Sequence, residues 1–470
     1  MKASLSIILF LICLNLTGQI KESRSVDSLF NEWNNTDTPG GVVGIIKDGV
    51  LICSKGYGMA DLEHNITLGP ESVFYLASVS KQFVTFCILL LEEEGKLNLD
   101  DDVRMFLPDF PDYGSTLTIR HFIHHTSGVR DFLALMELKG LSYLDHVKKE
   151  EAYDLIKRQK SLNFIPGDQY LYSNSCYFML AMIIEKASGQ PISRFAKEKI
   201  FDPLGMRNTL FYDDNTQLIR HRVFSYEKRL QREGFNNLIM RWDLVGGGGV
   251  YSNIHDLFLW DQNFYENKLG KGGQDIIHKM QQDGLLNNGQ SCGYAFGLHN
   301  GTFKGLRTVG HSGSLAGYRT VITRFPDERF SVIILCNRND ADPSSKTYQL
   351  AEIFLKDKLK VSPEAEPPLS PVVNSKDKII NLNPTFDLAE YCGRYYSDEL
   401  DITYSLEIEN EMVVLKIGNI KRMVLTMKEK DHFISIEAGY HFKFDRKGKK
   451  ISGFVLDAGR VTNLKFNMIR

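Results

Sequence analysis

Apolar and polar positions along the chain divide it into stretches of different period. From Gly41 to Gly58 the text reads GVVGIIKDGVLICSKGYG, two β-rich runs around Asp48-Gly49. Asp-Gly tolerates the positive φ angles of a two-residue turn, so the segment predicts a hairpin. In SKQFVTFCILLLEEEGK, Phe83, Phe86, Cys87 and Leu90 recur at helical spacing, and Val84, Ile88 and Leu91 are apolar too. A helix apolar nearly all round belongs at the centre of a fold; Gly95 suits its C-terminal cap. The middle, about Leu117 to Trp260, reads as largely helical with many turns. From about Gly293 strands return, YRTVITRF and RFSVIILCN, separated by Pro326-Asp327. Strands, helices, then strands predict an α+β fold: one antiparallel sheet closed by both ends of the segment, with flanking helices and an inserted helical lobe.

The pattern changes again downstream. SPEAEPPLSPVVNSKDK reads as a linker. Beyond Leu388, SLEIEN, MVVLKIG, HFISIE, YHFKFDRKG, SGFVLDAG and NLKFNMIR are short alternating strands. They predict an antiparallel barrel or sandwich of roughly eight strands. At the other end, Lys2, the apolar run Leu5 to Leu14 and the small residue Gly18 read as a secretory signal, too short to span a membrane. Ile12 stands where a lipoprotein signal has a small residue, which disfavours lipidation at Cys13. The expected division is a signal over 1–18, an α+β domain over 26–360, a linker over 361–387 and a β-barrel over 388–470. A length of 470 residues fits more than one domain.

Composition changes this picture little. Hydrophobic residues make up 43% and charged residues 24%, and the formal charge is -2. No basic run with interleaved aromatics appears, which sets nucleic-acid binding aside. The seven cysteines are scattered, several in apolar segments, and read as buried free thiols. No CxxC pair suggests zinc or redox chemistry.

Three short clusters carry chemistry. Ser78-Val79-Ser80-Lys81 places a hydroxyl and an amine three residues apart, on one face of a helix. A serine becomes nucleophilic when a base takes its proton, and a lysine serves as that base once burial lowers its pKa. The spacing recurs at Ser225–Lys228 and Ser375–Lys378, but only Ser78 opens an apolar helix. Tyr172-Ser173-Asn174 stands at a turn before a second helix. Tyr172 can relay a proton, shifting toward phenolate near ammonium groups, and Asn174 can both donate and accept. Ordinary helix capping is the plainer account of this cluster, and Tyr251-Ser252-Asn253 repeats it. His311-Ser312-Gly313-Ser314 precedes the returning strands; Gly313 allows close backbone approach, and a free N–H there can bind an oxyanion. Alone, it reads as a surface turn.

The order of these clusters resembles the serine β-lactamase and penicillin-binding superfamily, above all its class C branch of D-aminopeptidases, D-Ala-D-Ala carboxypeptidases, esterases and CubicO-type peptidases. HHTSG at His124–Gly128, FDPLGMRNT at Phe201–Thr209, GGGGVYSNIHDL at Gly246–Leu257 and YAFGL at Tyr294–Leu298 extend the resemblance over about Val26 to Lys360. It implies a β-lactamase/transpeptidase-like fold, with Ser78 forming an acyl-enzyme and Lys81 and Tyr172 transferring protons. It also implies Asn174, His311 and Gly313 on the substrate, the Ser78 and Ser314 backbone N–H groups as oxyanion hole, and no cofactor or metal. The C-terminal strands resemble the lipocalin-like modules of some relatives.

His311 replaces the lysine of the family's Lys-Thr-Gly box. A histidine titrating near neutrality makes a weaker, pH-dependent carboxylate anchor, which ranks peptide or amide hydrolysis above β-lactam hydrolysis. Esterase or β-lactamase activity is the alternative; a non-catalytic cell-wall peptide or penicillin binder is the rival of another class. His121, His124 and His125 sit at helical spacing but lack an HExxH acid, so packing beneath the site is preferred to a metal site. The expected partner is a small peptide, amide or ester, with neither nucleic acid nor membrane span; a homo-oligomer is allowed. The expected location is periplasmic or extracellular.

Overall fold

The computed structural model describes residues 24–360, 387–418 and 421–469. The expected signal segment and nearly all of the expected linker lie outside these residues, as does the Ser375–Lys378 copy of the serine–lysine spacing. A six-stranded antiparallel sheet organises the first part. Its strands are β1 (Gly41–Lys47), β2 (Val50–Tyr57), β3 (His299–Phe303), β4 (Leu306–Leu315), β5 (Tyr318–Phe325) and β6 (Phe330–Cys336), in the order β3-β4-β5-β6-β1-β2. Asp48 and Gly49 have φ of 51° and 80°, the left-handed turn their types predict. β1 joins β6 through Val43 opposite Ile334, so both ends of this segment close one sheet. β1 and β6 are buried on both faces, which explains their unbroken apolar runs.

One face of the sheet carries α1 (Lys81–Glu93), buried from Lys81 to Leu91, and α2 (Asn174–Ser188), which packs against it. The lobe between the two sets of strands is mainly helical but includes short strands, among them Val250–Ser252 and Ser225–Lys228. The opposite face is covered by α3 (Pro343–Phe354) and by Val26, Phe30 and Trp33. The six described cysteines are free, and Cys87, Cys176 and Cys336 are buried. Among the described residues no helix is long and apolar enough to cross a membrane.

The second part is a closed antiparallel barrel of eight strands: β7 (Gly393–Ser397), β8 (Ile402–Glu409), β9 (Met412–Ile417), β10 (Lys421–Glu429), β11 (His432–Ser435), β12 (Tyr440–Lys447), β13 (Lys450–Ala458) and β14 (Val461–Ile469). β7 pairs with β14, Tyr395 opposite Met468, and closure leaves no open sheet edge. Buried rings fill it: Phe466 lies 4.4 Å from Tyr404 and 4.7 Å from Phe454, and Tyr395 lies 5.1 Å from Phe454. The barrel docks through polar contacts. Arg130, fully buried, pairs with Glu399 at 2.6 Å and donates to the Asn463 carbonyl at 3.1 Å. Asn163 donates to the Arg460 carbonyl at 3.0 Å and accepts from the Thr462 N–H at 2.8 Å.

Candidate active site

Ser78 sits in a tight turn, Ala77–Ser80, that runs directly into α1. Ala77 holds a positive φ of 48°, a strained value for a residue with a side chain, immediately before the nucleophile position. One turn on, Lys81 is fully buried, and its Nζ has three neighbours. It lies 3.1 Å from Ser78 Oγ and 2.9 Å from Asn174 Oδ1, and it donates to the Gly247 carbonyl. The Tyr172 and Tyr177 rings stand 4.8 and 5.3 Å away and screen the amine from water. Burial pushes the Lys81 pKa well below the ordinary lysine value; the Asp131 carboxylate works against this and Arg460 reinforces it. A neutral amine has two N–H groups and one lone pair. The Asn174 and Gly247 oxygens can only accept, so they match the two N–H groups, and the lone pair faces the one neighbour able to donate, the Ser78 hydroxyl.

Asn174 opens α2 and is held by Asp131, whose Oδ2 accepts from the Asn174 backbone N–H at 2.6 Å and from Nδ2 at 2.8 Å. The Asn174 oxygen is engaged by Lys81 and one amide N–H by Asp131, so its primary work is to orient the amine. Tyr172 lies beside Ser78, close enough for the serine to oppose its rise in pKa, but its buried hydroxyl makes no hydrogen bond of good geometry. Burial raises the Tyr172 pKa, with Ser78 and Arg460 opposing. The expected drift toward phenolate is therefore reversed: burial disfavours the charged form of both groups, favouring the free amine on Lys81 and the protonated hydroxyl on Tyr172.

His311 is not on a surface turn. It lies within β4, opposite Ile322, and is 6% exposed. Its Nδ1 bonds the Ser312 carbonyl at 2.6 Å, so Nδ1 carries the proton and Nε2 accepts from the Tyr294 hydroxyl at 2.9 Å. Burial, joined by His299 and Lys81, holds its pKa well below the usual histidine range. His311 is therefore neutral at physiological pH, and the expected pH-dependent anchor gives way to a fixed neutral group. β4 runs past the end of its pairing with β3 at Gly310, and its free half passes the Ser78 turn. Gly313 makes that approach feasible: a Cβ there would meet the Leu76 carbonyl and Thr320 Oγ1 at 2.3 Å. Ser314 follows on the same strand, opposite Arg319.

The three clustered histidines do different things. His121 caps its helix with Thr118. His124 bonds the Tyr294 carbonyl at 2.9 Å, and burial pushes its pKa down to about 4. His125 lies 4.2 Å from the Tyr172 ring and accepts from the Ser173 N–H at 3.1 Å. The repeated patterns resolve as structural. Ser225 and Lys228 lie on a strand, where residues three apart face opposite ways. Tyr251 pairs with Tyr75 in a small sheet, and Asn253 caps a helix.

Sequence reasoning missed Asp131, the Gly247 carbonyl and Arg460. Gly247 was at least visible in the Gly246–Gly249 run: a Cβ there would press on Asn174 at 3.2 Å. Asp131 and Arg460 carry no local signal. Arg460 comes from the barrel, its guanidinium 4.8 Å over the Tyr172 ring and 3.7 Å from the Asp131 carboxylate.

Comparison with known proteins places this geometry. The Beta-lactamase family profile matches residues 26–354. Penicillin-binding protein 4* of Bacillus subtilis (strain 168) is 29% identical over 451 residues, covering 92% of this chain and 96% of that protein. A D-aminopeptidase of Cereibacter sphaeroides is 30% identical over 332 residues; these cover 70% of this chain but 62% of the relative. Among solved structures, the octameric penicillin-binding protein homologue from Pyrococcus abyssi shares the fold with a TM-score of 0.63 at 22% identity, covering 95% of this chain and 99% of that one. D-amino acid amidase from Ochrobactrum anthropi SV3 matches at 0.59 and 18% identity, covering 72% of this chain and 98% of that one. With a family match over residues 26–354 and a serine, a buried lysine and a tyrosine assembled as described, the chain belongs to the β-lactamase family and is a serine hydrolase.

Proposed function

We propose that the protein cleaves small peptides or amides of D-configured residues through an acyl-enzyme on Ser78. The observation that carries this is the environment of Lys81: buried, with two oxygen acceptors and one hydroxyl around its amine. Neutral Lys81 takes the Ser78 proton as Oγ attacks the carbonyl carbon. The oxyanion is received by the backbone N–H groups of Ser78 and Ser314. The C–N bond then breaks, Tyr172 delivers a proton to the leaving nitrogen, and the proton held on Lys81 restores the tyrosine hydroxyl. Water attacks the ester on Ser78, releasing the acid. D-configuration rests on the relatives named D-aminopeptidase and D-amino acid amidase.

Intact-mass labelling by a fluorophosphonate and by penicillin tests the acyl-enzyme, with Ser78→Ala as control. A panel of D-aminoacyl amides, a D-Ala-D-Ala peptide, a nitrophenyl ester and a cephalosporin then ranks substrates. Turnover of the D-amides or the peptide, lost in Ser78→Ala, is expected. Ester-only turnover would make it an esterase, and an unlabelled Ser78 would leave a binding protein. We also propose that the protein is exported, from the apolar run Leu5 to Leu14 behind Lys2; the mass of the secreted chain checks this.

A further inference from the structure

The Tyr172 hydroxyl makes no hydrogen bond of good geometry, so nothing at its oxygen end fixes the side chain. Its direction is set by what holds the backbone and what packs on the ring. Lys81 and Arg460 each stand 4.8 Å from the ring. His125 does more, because it holds the chain on both sides of Tyr172. Its carbonyl accepts from the Leu171 N–H at 3.0 Å, and its Nδ1 accepts from the Ser173 N–H at 3.1 Å. The imidazole also lies 4.2 Å from the phenol, the two planes tilted by 38°.

The segment HHTSG is shaped for this. His125 takes a φ of 57° and Gly128 one of 74°. The turn presents its carbonyls to the loop that carries the tyrosine: Gly128 accepts from the Asn163 N–H at 2.7 Å, and Thr126 accepts from the Gly167 N–H at 2.8 Å. A Cβ on Gly128 would meet the Phe164 carbonyl oxygen at 2.4 Å, a measure of how closely the loop lies. The series ends at Ser173, and its last acceptor is the His125 side chain. Among residues with a side chain, Asn, Asp and His adopt a positive φ most readily. Of these, histidine alone also brings a ring to the phenol.

Because Nδ1 accepts an N–H it carries no proton, and the neutral ring has its proton on Nε2. His125 is fully buried, and its Nε2 has no hydrogen-bond partner. It lies among the rings of Tyr172, Tyr177 and Tyr294, whose centroids are 4.2, 5.0 and 4.6 Å from its own. Were packing the only requirement, phenylalanine would fill this aromatic box without leaving a buried N–H unpaired. What histidine adds is the acceptor at Nδ1. Burial pushes its pKa well below the usual histidine range, which keeps Nδ1 free to accept.

Resting on the acyl-enzyme reading above, we infer that His125 is a positioning residue for proton delivery: its Nδ1, with its carbonyl, pins the backbone on either side of Tyr172 and so aims the hydroxyl at the leaving nitrogen. The effect falls on one step. An amide nitrogen departs only with a proton, whereas a nitrophenolate departs without one. A misaimed Tyr172 therefore slows amides and spares nitrophenyl esters.

The test compares kcat/KM for the D-aminoacyl amide that wild type turns over fastest with kcat/KM for the 4-nitrophenyl ester of the same acyl group. His125→Phe keeps a ring and His125→Leu does not, but both lose the acceptor. Each should lower the amide-to-ester ratio by roughly ten- to a hundredfold, within the worth of a general acid and of its placement. His125→Asn keeps an acceptor oxygen and tolerates the positive φ, so it should retain much of the ratio. His125→Phe combined with Tyr172→Phe should lose no more of the ratio than Tyr172→Phe alone. Both rates are read on one preparation, so partial unfolding leaves their ratio unchanged, and fluorophosphonate labelling of Ser78 counts the folded sites. An unchanged ratio in His125→Phe and His125→Leu, an equal drop in His125→Asn, or a further drop in the double variant would overturn the positioning role while leaving the acyl-enzyme intact. Failure of Ser78 to label, or of every amide to turn over, would overturn the reading on which it rests.

Discussion

Gly313→Ala tests how closely β4 must approach the Ser78 turn. The added Cβ would stand 2.3 Å from the Leu76 carbonyl oxygen and from Thr320 Oγ1. Thr320 offers little relief, because its hydroxyl already donates to the same carbonyl at 2.7 Å. Cβ contacts essentially never fall under 3.0 Å, so strand and turn must separate by at least 3.0 - 2.3 = 0.7 Å, and by 3.4 - 2.3 = 1.1 Å to reach ordinary contact. The separation falls between Ser78 and the Ser314 N–H. A misplacement of about 1 Å at a reacting centre costs on the order of a hundredfold in rate, and overpacking costs about 1–3 kcal/mol of stability. The second-order rate of fluorophosphonate labelling at Ser78 reads the first quantity, and urea unfolding reads the second. Gly69→Ala is the control, since its Cβ would meet nothing within 4 Å and its φ is not positive. A Gly313→Ala protein that labels at the wild-type rate would refute the proposed approach of β4 to the oxyanion.

The remaining predictions concern protonation and docking. Because burial depresses the Lys81 pKa, acylation should rise with pH at values well below the ordinary lysine range; onset near the ordinary ~10.4 would refute a base with a depressed pKa. The same shift makes the unfolded chain bind the extra proton. Lys81's contribution to stability is therefore full above the ordinary lysine pKa and declines as pH falls toward the depressed one, a slope that Lys81→Met should remove from urea unfolding curves. His311, held neutral by burial, should contribute no break between about pH 6 and 8; a break in wild-type labelling that vanishes in His311→Gln would refute this. Glu399→Ala should cost about 3–5 kcal/mol, since it leaves the buried Arg130 guanidinium without its carboxylate. A loss below about 1 kcal/mol in urea unfolding would mean that the pair behaves as an exposed one.

Much was legible in the chain because it depends on local periodicity. Asp48-Gly49 turns a hairpin on backbone preference alone. The α1 segment is apolar all round and is buried accordingly. Alternation beyond Leu388 marks strands, although closure into a barrel depended on Arg394 to Tyr396 meeting Asn467 to Ile469, contacts that no local pattern encodes. Ser78 and Lys81 are neighbours by helical spacing, so their pairing was readable. Their chemistry was not, because an amine's pKa depends on what surrounds it from the rest of the fold. Lys81 receives its acceptors from Asn174 and Gly247, and Tyr172 is kept protonated by burial. His311 loses its charge because Tyr294, His299 and the sheet enclose it. Arg460 reaches Tyr172 only because a second domain docks through Arg130 and Asn163. By itself the sequence determined which residues could act; the tertiary structure decided their charge and company, because burial and long-range contact are properties of the packed whole.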